Sequence, residues 1–227
     1  MVAEPYHLRA KYRAVHQRLI EAYGEPVWRP HVSPVDRLVS TILSQNTSGV
    51  NRERAFQALK AHYPDWEALV QVPVAEIQAL IYPAGLSSQK APRIQQALRT
   101  ILHQEGRICL DFLQEMPLPE AKAWLTSLKG VGPKTAALVL LFAFGRPAFP
   151  VDKNIHRVSR RLGLIDDRTS ADRAQDIFEE IGDPDTFYAF HRNMIRHGRE
   201  VCQAPTPHCA ICPLQDLCDY YNNRVRA

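Results

Sequence analysis

Four of the chain's five cysteines, Cys202, Cys209, Cys212 and Cys218, fall in one short stretch with the spacing Cys-x6-Cys-x2-Cys-x5-Cys. Four thiolates this close in sequence can close on one metal centre, and zinc and a cubane iron–sulfur cluster both accept four cysteine ligands. Pro205, Pro207 and Pro213 stiffen the intervening loops, so little backbone entropy is lost when metal binds. Disulfides are the alternative. The N-terminal run MVAEPYHLRAKYR lacks the apolar core and cleavage pattern of a signal peptide, so the thiols are expected to stay reduced, which favours metal. Zinc modules often pair two Cys-x2-Cys knuckles and this chain has one; spacing alone leaves the metal's identity open. The remote Cys109 reads as a buried small apolar residue.

A second constellation is Leu128-Lys129-Gly130-Val131-Gly132-Pro133-Lys134-Thr135-Ala136. A helix ends, two glycines turn the chain, and a proline opens the next helix. Backbone N–H groups left open at a helix N-terminus suit a phosphodiester. This is the helix-hairpin-helix pattern of DNA-backbone binding, with an ordinary helix–helix turn as the alternative. Lys134 stands in the first turn of a helix whose continuation, Ala136 to Phe144, is apolar all round and hence buried. Partial desolvation and the positive helix end both lower an amine's pKa, which supplies the free amine needed for attack on carbon. A plain phosphate-binding ammonium is the competing reading. Asp152 opens the following helix. It suits an N-cap and equally a carboxylate that relays the amine's proton and stabilises a developing cation.

The elements that must carry these groups are helical throughout. Apolar periodicity and punctuation predict helices over 7–23, 35–43, 48–61, 65–70, 73–80, 88–103, 119–128, 133–144, 152–162, 170–181 and 183–198. Ser33, Asp65, Asp152, Ser170 and Asp183 are the expected start signals. No segment alternates as a strand between hairpin turns. The expected fold class is all-α. With 227 residues, 45% hydrophobic and 23% charged, the chain can bury a real core in one domain or two. The longest apolar run, Ala136 to Phe144, is too short to cross a membrane. A net charge of +4 permits nucleic acid without arguing for it. More telling are two basic segments, Lys153, Arg157, Arg160 and Arg161, and Arg192, Arg196, His197 and Arg199.

Together these residues resemble the endonuclease III family of the helix-hairpin-helix, Gly/Pro-Asp superfamily of DNA glycosylases, from about Pro34 to Cys218. Lys134 falls at the family's catalytic lysine. Phe149-Pro150-Val151-Asp152 matches the Gly/Pro-Asp element, with Asp152 at the catalytic carboxylate. The cysteine spacing matches the family's 4Fe–4S loop, which implies that cofactor on Cys202, Cys209, Cys212 and Cys218. Leu43-Ser44-Gln45-Asn46 resembles the loop that fills the gap left by an extruded nucleotide. The family's usual Gln falls at Asn46, preceded by Gln45, so which side chain fills the gap stays open. Ala84 to Lys90 resembles the loop whose leucine wedges between bases, here Leu86, for which a core position is the alternative. Asn154 stands where better-known members have His. The resemblance implies two helical lobes flanking a DNA-binding cleft. One is a barrel-like bundle with the hairpin, 34–145. The other is the cluster lobe, 1–33 and 146–227. The implied DNA contacts are Gln45, Asn46, Leu86, Lys90, Gly130, Val131, Gly132, Lys153, Arg157 and Arg199.

The activity implied is that of a bifunctional DNA glycosylase and abasic-site lyase of base excision repair. It would remove oxidised pyrimidines through a lysine Schiff base and cut 3′ to the abasic site by β-elimination. The expected partner is double-stranded DNA with a flipped damaged nucleotide. The protein is expected to be a monomer in the cytoplasm, at the nucleoid, with no membrane association. Alternatives are a monofunctional adenine-mismatch relative, which Lys134 argues against, and a relative specialised for abasic sites or mismatched thymine. A nonenzymatic helix-hairpin-helix DNA-binding protein and a zinc-stabilised scaffold complete the list. Trp28, Trp66 and Trp124 read as packing residues, and His31, His103 and His191 as surface or satisfied histidines.

Overall fold

Helix starts in this protein follow its turn residues, and the computed structural model, which describes residues 5–30 and 32–225, gives the order. The α-helices are α1 (Pro5–Tyr23), α2 (Pro34–Leu43), α3 (Gly49–His62), α4 (Trp66–Gln71), α5 (Val74–Leu80) and α6 (Ser87–Glu105). They continue as α7 (Leu118–Ser127), α8 (Pro133–Phe144), α9 (Lys153–Leu162), α10 (Ala171–Ile181) and α11 (Phe187–Glu200). Short 3₁₀ turns lie between them, and no strand occurs among the described residues. The all-α class holds. His31 lies outside the described residues. No helix among them is long and apolar enough to cross a membrane.

Three of the five start signals act as side-chain caps or fail for visible reasons. Asp152 and Ser170 accept amides of the first turns of α9 and α10. Ser33 and Asp65 sit at N-cap positions without a side-chain bond. Asp183 is drawn instead into a two-point pair with Arg13, both contacts 2.9 Å, and a 3₁₀ turn, Pro184–Thr186, precedes α11. Ser48, read as helical, is the cap of α3 and accepts the amide of Asn51.

The chain divides into two units, Pro30–Arg146 and Met1–Arg29 with Pro147–Ala227. In the first, α8 packs on α2 and α7, and α6 packs on α2, α4 and α5. Val139, Leu140 and Leu141 of α8 and Leu38, Ile42 and Leu43 of α2 lie in its core, all at most 2% exposed. At roughly 1.5–3 kcal/mol per fully buried apolar side chain, this burial fixes the backbone that carries Lys134. In the second unit α1 packs on α10 and α11, and α9 on α11. Its core is aromatic: Tyr12, Phe149, Phe178, Phe187 and Phe190 are essentially fully buried. Phe149 lies 4.7 Å from Phe178 and 5.4 Å from Phe187, centroid to centroid. Its backbone amide donates to Glu179 Oε1 at 2.9 Å. The short Phe149–Val151 run is thereby pinned, and Asp152 with it.

Candidate active site and cysteine centre

The hairpin between α7 and α8 is built on one glycine. Gly130 has φ +87°, and a Cβ there would lie 2.5 Å from Cδ of Arg93, so any side chain meets both strain and a clash. Gly132 was expected to need similar freedom. It does not: its φ is −96° and the space a Cβ would fill is open. What Gly132 provides is room over the start of α8. The Val131 amide, expected to face phosphate, donates to Leu128 O at 3.0 Å. Val131 itself is 5% exposed. Among the described residues the amides of Gly132 and Lys134 make no backbone hydrogen bond outside the helix ladder. They, rather than Val131, form the open anion site.

Lys134 is exposed, contrary to the desolvation expected from its apolar helix. Burial in α8 begins one residue later, at Thr135. Among the described residues no ion pair or side-chain hydrogen bond engages its amine. Asp152, half-buried, caps α9: Oδ1 accepts the amides of Asn154 and Ile155, each at 2.8 Å. Oδ2 accepts from the side-chain amide of Asn154 at 3.0 Å. Asn154 Oδ1 in turn accepts from Arg157 at 3.2 Å. The carboxylate is oriented on both oxygens, with lone pairs to spare on Oδ2.

The first loop is tied to the hairpin. Gln45 donates from Nε2 to Gly130 O at 3.1 Å, and its Oε1 accepts from Arg93 at 3.4 Å. Asn46 is exposed with φ +51° and has no side-chain partner among the described residues. Gln45 thus bonds inward to the hairpin, while Asn46 is exposed. Leu86 is 45% exposed with φ +50°, which excludes the core position. Lys90, expected at the DNA surface, is 1% exposed. Its ammonium donates to Leu43 O at 2.7 Å and Ala84 O at 2.8 Å, and burial lowers its pKa. The sequence carried a signal for this: Lys90 shares a helix face with Ile94, Ala97 and Ile101, all buried.

Several side chains of the basic segments are engaged within the protein. Arg157 donates to Gly198 O at 2.6 Å and Cys202 O at 3.1 Å. Arg160 pairs with Asp167 at 2.7 Å. Arg161 donates to Gln203 O at 2.8 Å and Pro205 O at 3.1 Å. Arg196 pairs with Glu200 at 3.0 Å, and His197 is 1% exposed. Arg157 is therefore a strut of the cysteine loop rather than a free cation. Only Lys153 and Arg199 of the expected DNA-contacting cations are exposed and without a side-chain partner among the described residues.

Cys202, Cys209, Cys212 and Cys218 line one pocket, with Arg161, His197, Tyr220 and Tyr221. None forms a disulfide. No three His, Cys, Asp or Glu among the described residues converge as a single-ion site would require. Donors face the sulfurs: Arg161 lies 3.3 Å from Cys202 Sγ, and the Leu214 amide 3.4 Å from Cys212 Sγ. His197 Nε2 lies 3.7 Å from Cys212 Sγ, while its Nδ1 is 2.9 Å from Tyr23 Oη. α1 braces the same loop through Arg18, bonded to Pro213 O at 3.0 Å and Asp216 at 3.1 Å. Burial pushes the Cys212 thiol up to about 11 and raises Cys209 and Cys218. Cys109, read as buried, is half-exposed.

A family model for HhH-GPD superfamily base excision DNA repair proteins matches residues 39–184, which hold both loops, the hairpin, Lys134 and Asp152. The chain is 32% identical to endonuclease III of Thermotoga maritima, across 84% of this chain and 85% of that protein. The chain belongs to the endonuclease III family of the HhH-GPD superfamily. Within this family it is also 36% identical to endonuclease III of Synechocystis, over 82% of this chain and 81% of that one. A thymine-DNA glycosylase of Aeropyrum pernix is 31% identical, over 95% of this chain and 97% of that protein. A shorter match, 38% identical to a protein of Arabidopsis thaliana, covers 59% of this chain and 45% of that protein. Two solved endonuclease III–DNA complexes superpose on 96% of this chain and 99% of theirs. The trapped covalent intermediate has TM-score 0.80 at 28% identity, and the non-covalent complex 0.82 at 27%.

Proposed function

We propose that this endonuclease III-like DNA glycosylase is bifunctional, removing a damaged pyrimidine from duplex DNA and then cutting the strand. The target nucleotide leaves the stack, because C1′ is out of reach within it. Lys134 Nζ, as free amine, attacks C1′; the N-glycosidic bond breaks and the base departs with the bonding electron pair. Asp152 Oδ2 accepts the proton lost by the amine and stabilises positive charge on the sugar. The C1′–O4′ bond then opens, O4′ taking back a proton from Asp152, and the resulting Schiff base acidifies C2′–H. Loss of that proton expels the 3′ phosphate, and hydrolysis returns the lysine. Bound DNA supplies the exclusion of water that the protein alone does not give Lys134. Phosphates sit on the open amides of Gly132 and Lys134 and on Lys153 and Arg199, contacts that fix position and carry no sequence information.

The observation that carries this reading is an exposed amine with no side-chain partner at the positive end of a buried helix, beside open amides. Borohydride added with abasic-site DNA is expected to trap a covalent complex, lost in Lys134→Ala. No trapping by the wild-type protein would remove the lyase from the proposal. The similarity to a thymine-DNA glycosylase favours a second reading, thymine opposite guanine as substrate. Duplexes bearing oxidised pyrimidines and G·T mismatches, compared under single turnover, separate the two.

Cys202, Cys209, Cys212 and Cys218 would hold a 4Fe–4S cluster. A cubane takes one thiolate per iron, and four thiols line one pocket here. When bound, the cluster supplies a structural crosslink for the loop, and the chemistry stays with Lys134 and Asp152. Iron and sulfide analysis of the brown protein is expected to give about four of each per chain. One zinc in a colourless, active protein would contradict it.

A further inference from the structure

Only two non-glycine residues among those described have positive φ, Asn46 at +51° and Leu86 at +50°. Both are exposed, one an amide and one an aliphatic side chain, on loops 40 residues apart in sequence. Such a conformation is costly for a γ-branched residue like leucine, so something must hold it. Leu86 O accepts the amides of Gln89 and Lys90, each at 2.9 Å, which locks the start of α6 behind it. The same Lys90 sends its side chain inward. Its ammonium satisfies Leu43 O, at the end of α2 where the first loop leaves, and Ala84 O, two residues before Leu86. Neither carbonyl has a backbone donor outside the helix ladder. Among the described residues no carboxylate pairs with this 1% exposed cation. A buried charge without a counterion is an expensive way to fill space. A methionine would fill the same space, and what lysine adds is the two-point tie.

We propose that Lys90 is a positioning residue, a buried strap that holds the Asn46 and Leu86 loops as one two-pronged probe for extruding a nucleotide from duplex DNA. This deepens the glycosylase reading and rests on it. The strap acts on extrusion, not on the bonds made and broken. Its loss therefore bears hardest where a stacked, paired base must be pried out, and least where the base is already gone.

The test compares two single-turnover rates for each variant: base removal from a fully paired lesion duplex, and strand cleavage at a preformed abasic site. In Lys90→Met the ratio of the first to the second is expected to fall about tenfold, since extrusion carries a few kcal/mol of unstacking cost. Lys90→Gln, which keeps donors without the charge, is expected to recover part of that loss, and it carries the test if the methionine variant does not fold. In a Leu86→Ala background the Lys90 substitution is expected to cost little more, because the prong it aims is absent. An unchanged ratio, or fully additive costs in the double variant, would overturn the proposal by marking Lys90 as a general stabiliser. Absence of both activities in the wild-type protein would instead strike the glycosylase reading itself.

Discussion

At Asp152, Oδ1 holds the start of α9 while Oδ2 keeps lone pairs free for the proposed proton transfer, and two substitutions separate the cap from that proposed role. Asp152→Asn keeps a carbonyl oxygen for the cap, whereas Asp152→Ala removes it at about 1 kcal/mol. Both are expected to slow base removal by roughly 10²–10⁴-fold, but only the alanine variant should melt lower. A full single-turnover rate in Asp152→Asn would end the carboxylate's role. The placement of Lys134 and Asp152 at helix starts was readable in sequence because each sits beside glycine or proline punctuation. Lys90 was not, because a lysine near a loop looks like a surface charge until its face of the helix is counted. Gln45 and Asn46 could not be told apart, since which one turns inward depends on Gly130 and Arg93, far away in sequence.

The hairpin between α7 and α8 needs its two glycines for different reasons. Gly130→Ala meets positive φ and the Arg93 side chain, and is expected to cost about 1–3 kcal/mol in chemical denaturation. Gly132→Ala has allowed angles and open space, so stability should change by less than about 0.5 kcal/mol. DNA affinity should drop, because a methyl group then covers the open amides. Equal destabilisation by both would contradict this division. Helix positions were well marked by period and proline, and the partners of helix ends were not. α6 shows why: Lys90, Gln95 and Arg99 reach back to carbonyls of Leu43, Leu69 and Val70. Those bonds cross between elements, and no local signal announces them. Ser33 and Asp65 look like caps for the same local reasons as Ser170, yet make no such bond.

Across the whole molecule, most arginines that a charge count offers to DNA are already engaged within the protein. Clusters of basic residues read from sequence as one patch divide, in the fold, into struts and free cations. Lys153→Ala and Arg199→Ala are each expected to lower the slope of log affinity against log salt by about 1. Arg157→Ala, by contrast, should leave the slope and loosen the 202–218 loop, read as faster hydrogen exchange there. A slope change in Arg157→Ala with no change in exchange would restore it to the DNA surface. Removal of the proposed cluster is expected to raise exchange over that same loop first, because the protein itself holds the loop largely by side-chain bonds from α9 and α1. The decisive measurement is the position of the covalent adduct. Protein trapped by borohydride on abasic-site DNA, digested and mapped by mass spectrometry, should carry the reduced sugar on Lys134. An adduct on Lys129, on Lys153 or on the terminal amine, with Lys134 unmodified, would show that the amine at the mouth of α8 is not the nucleophile.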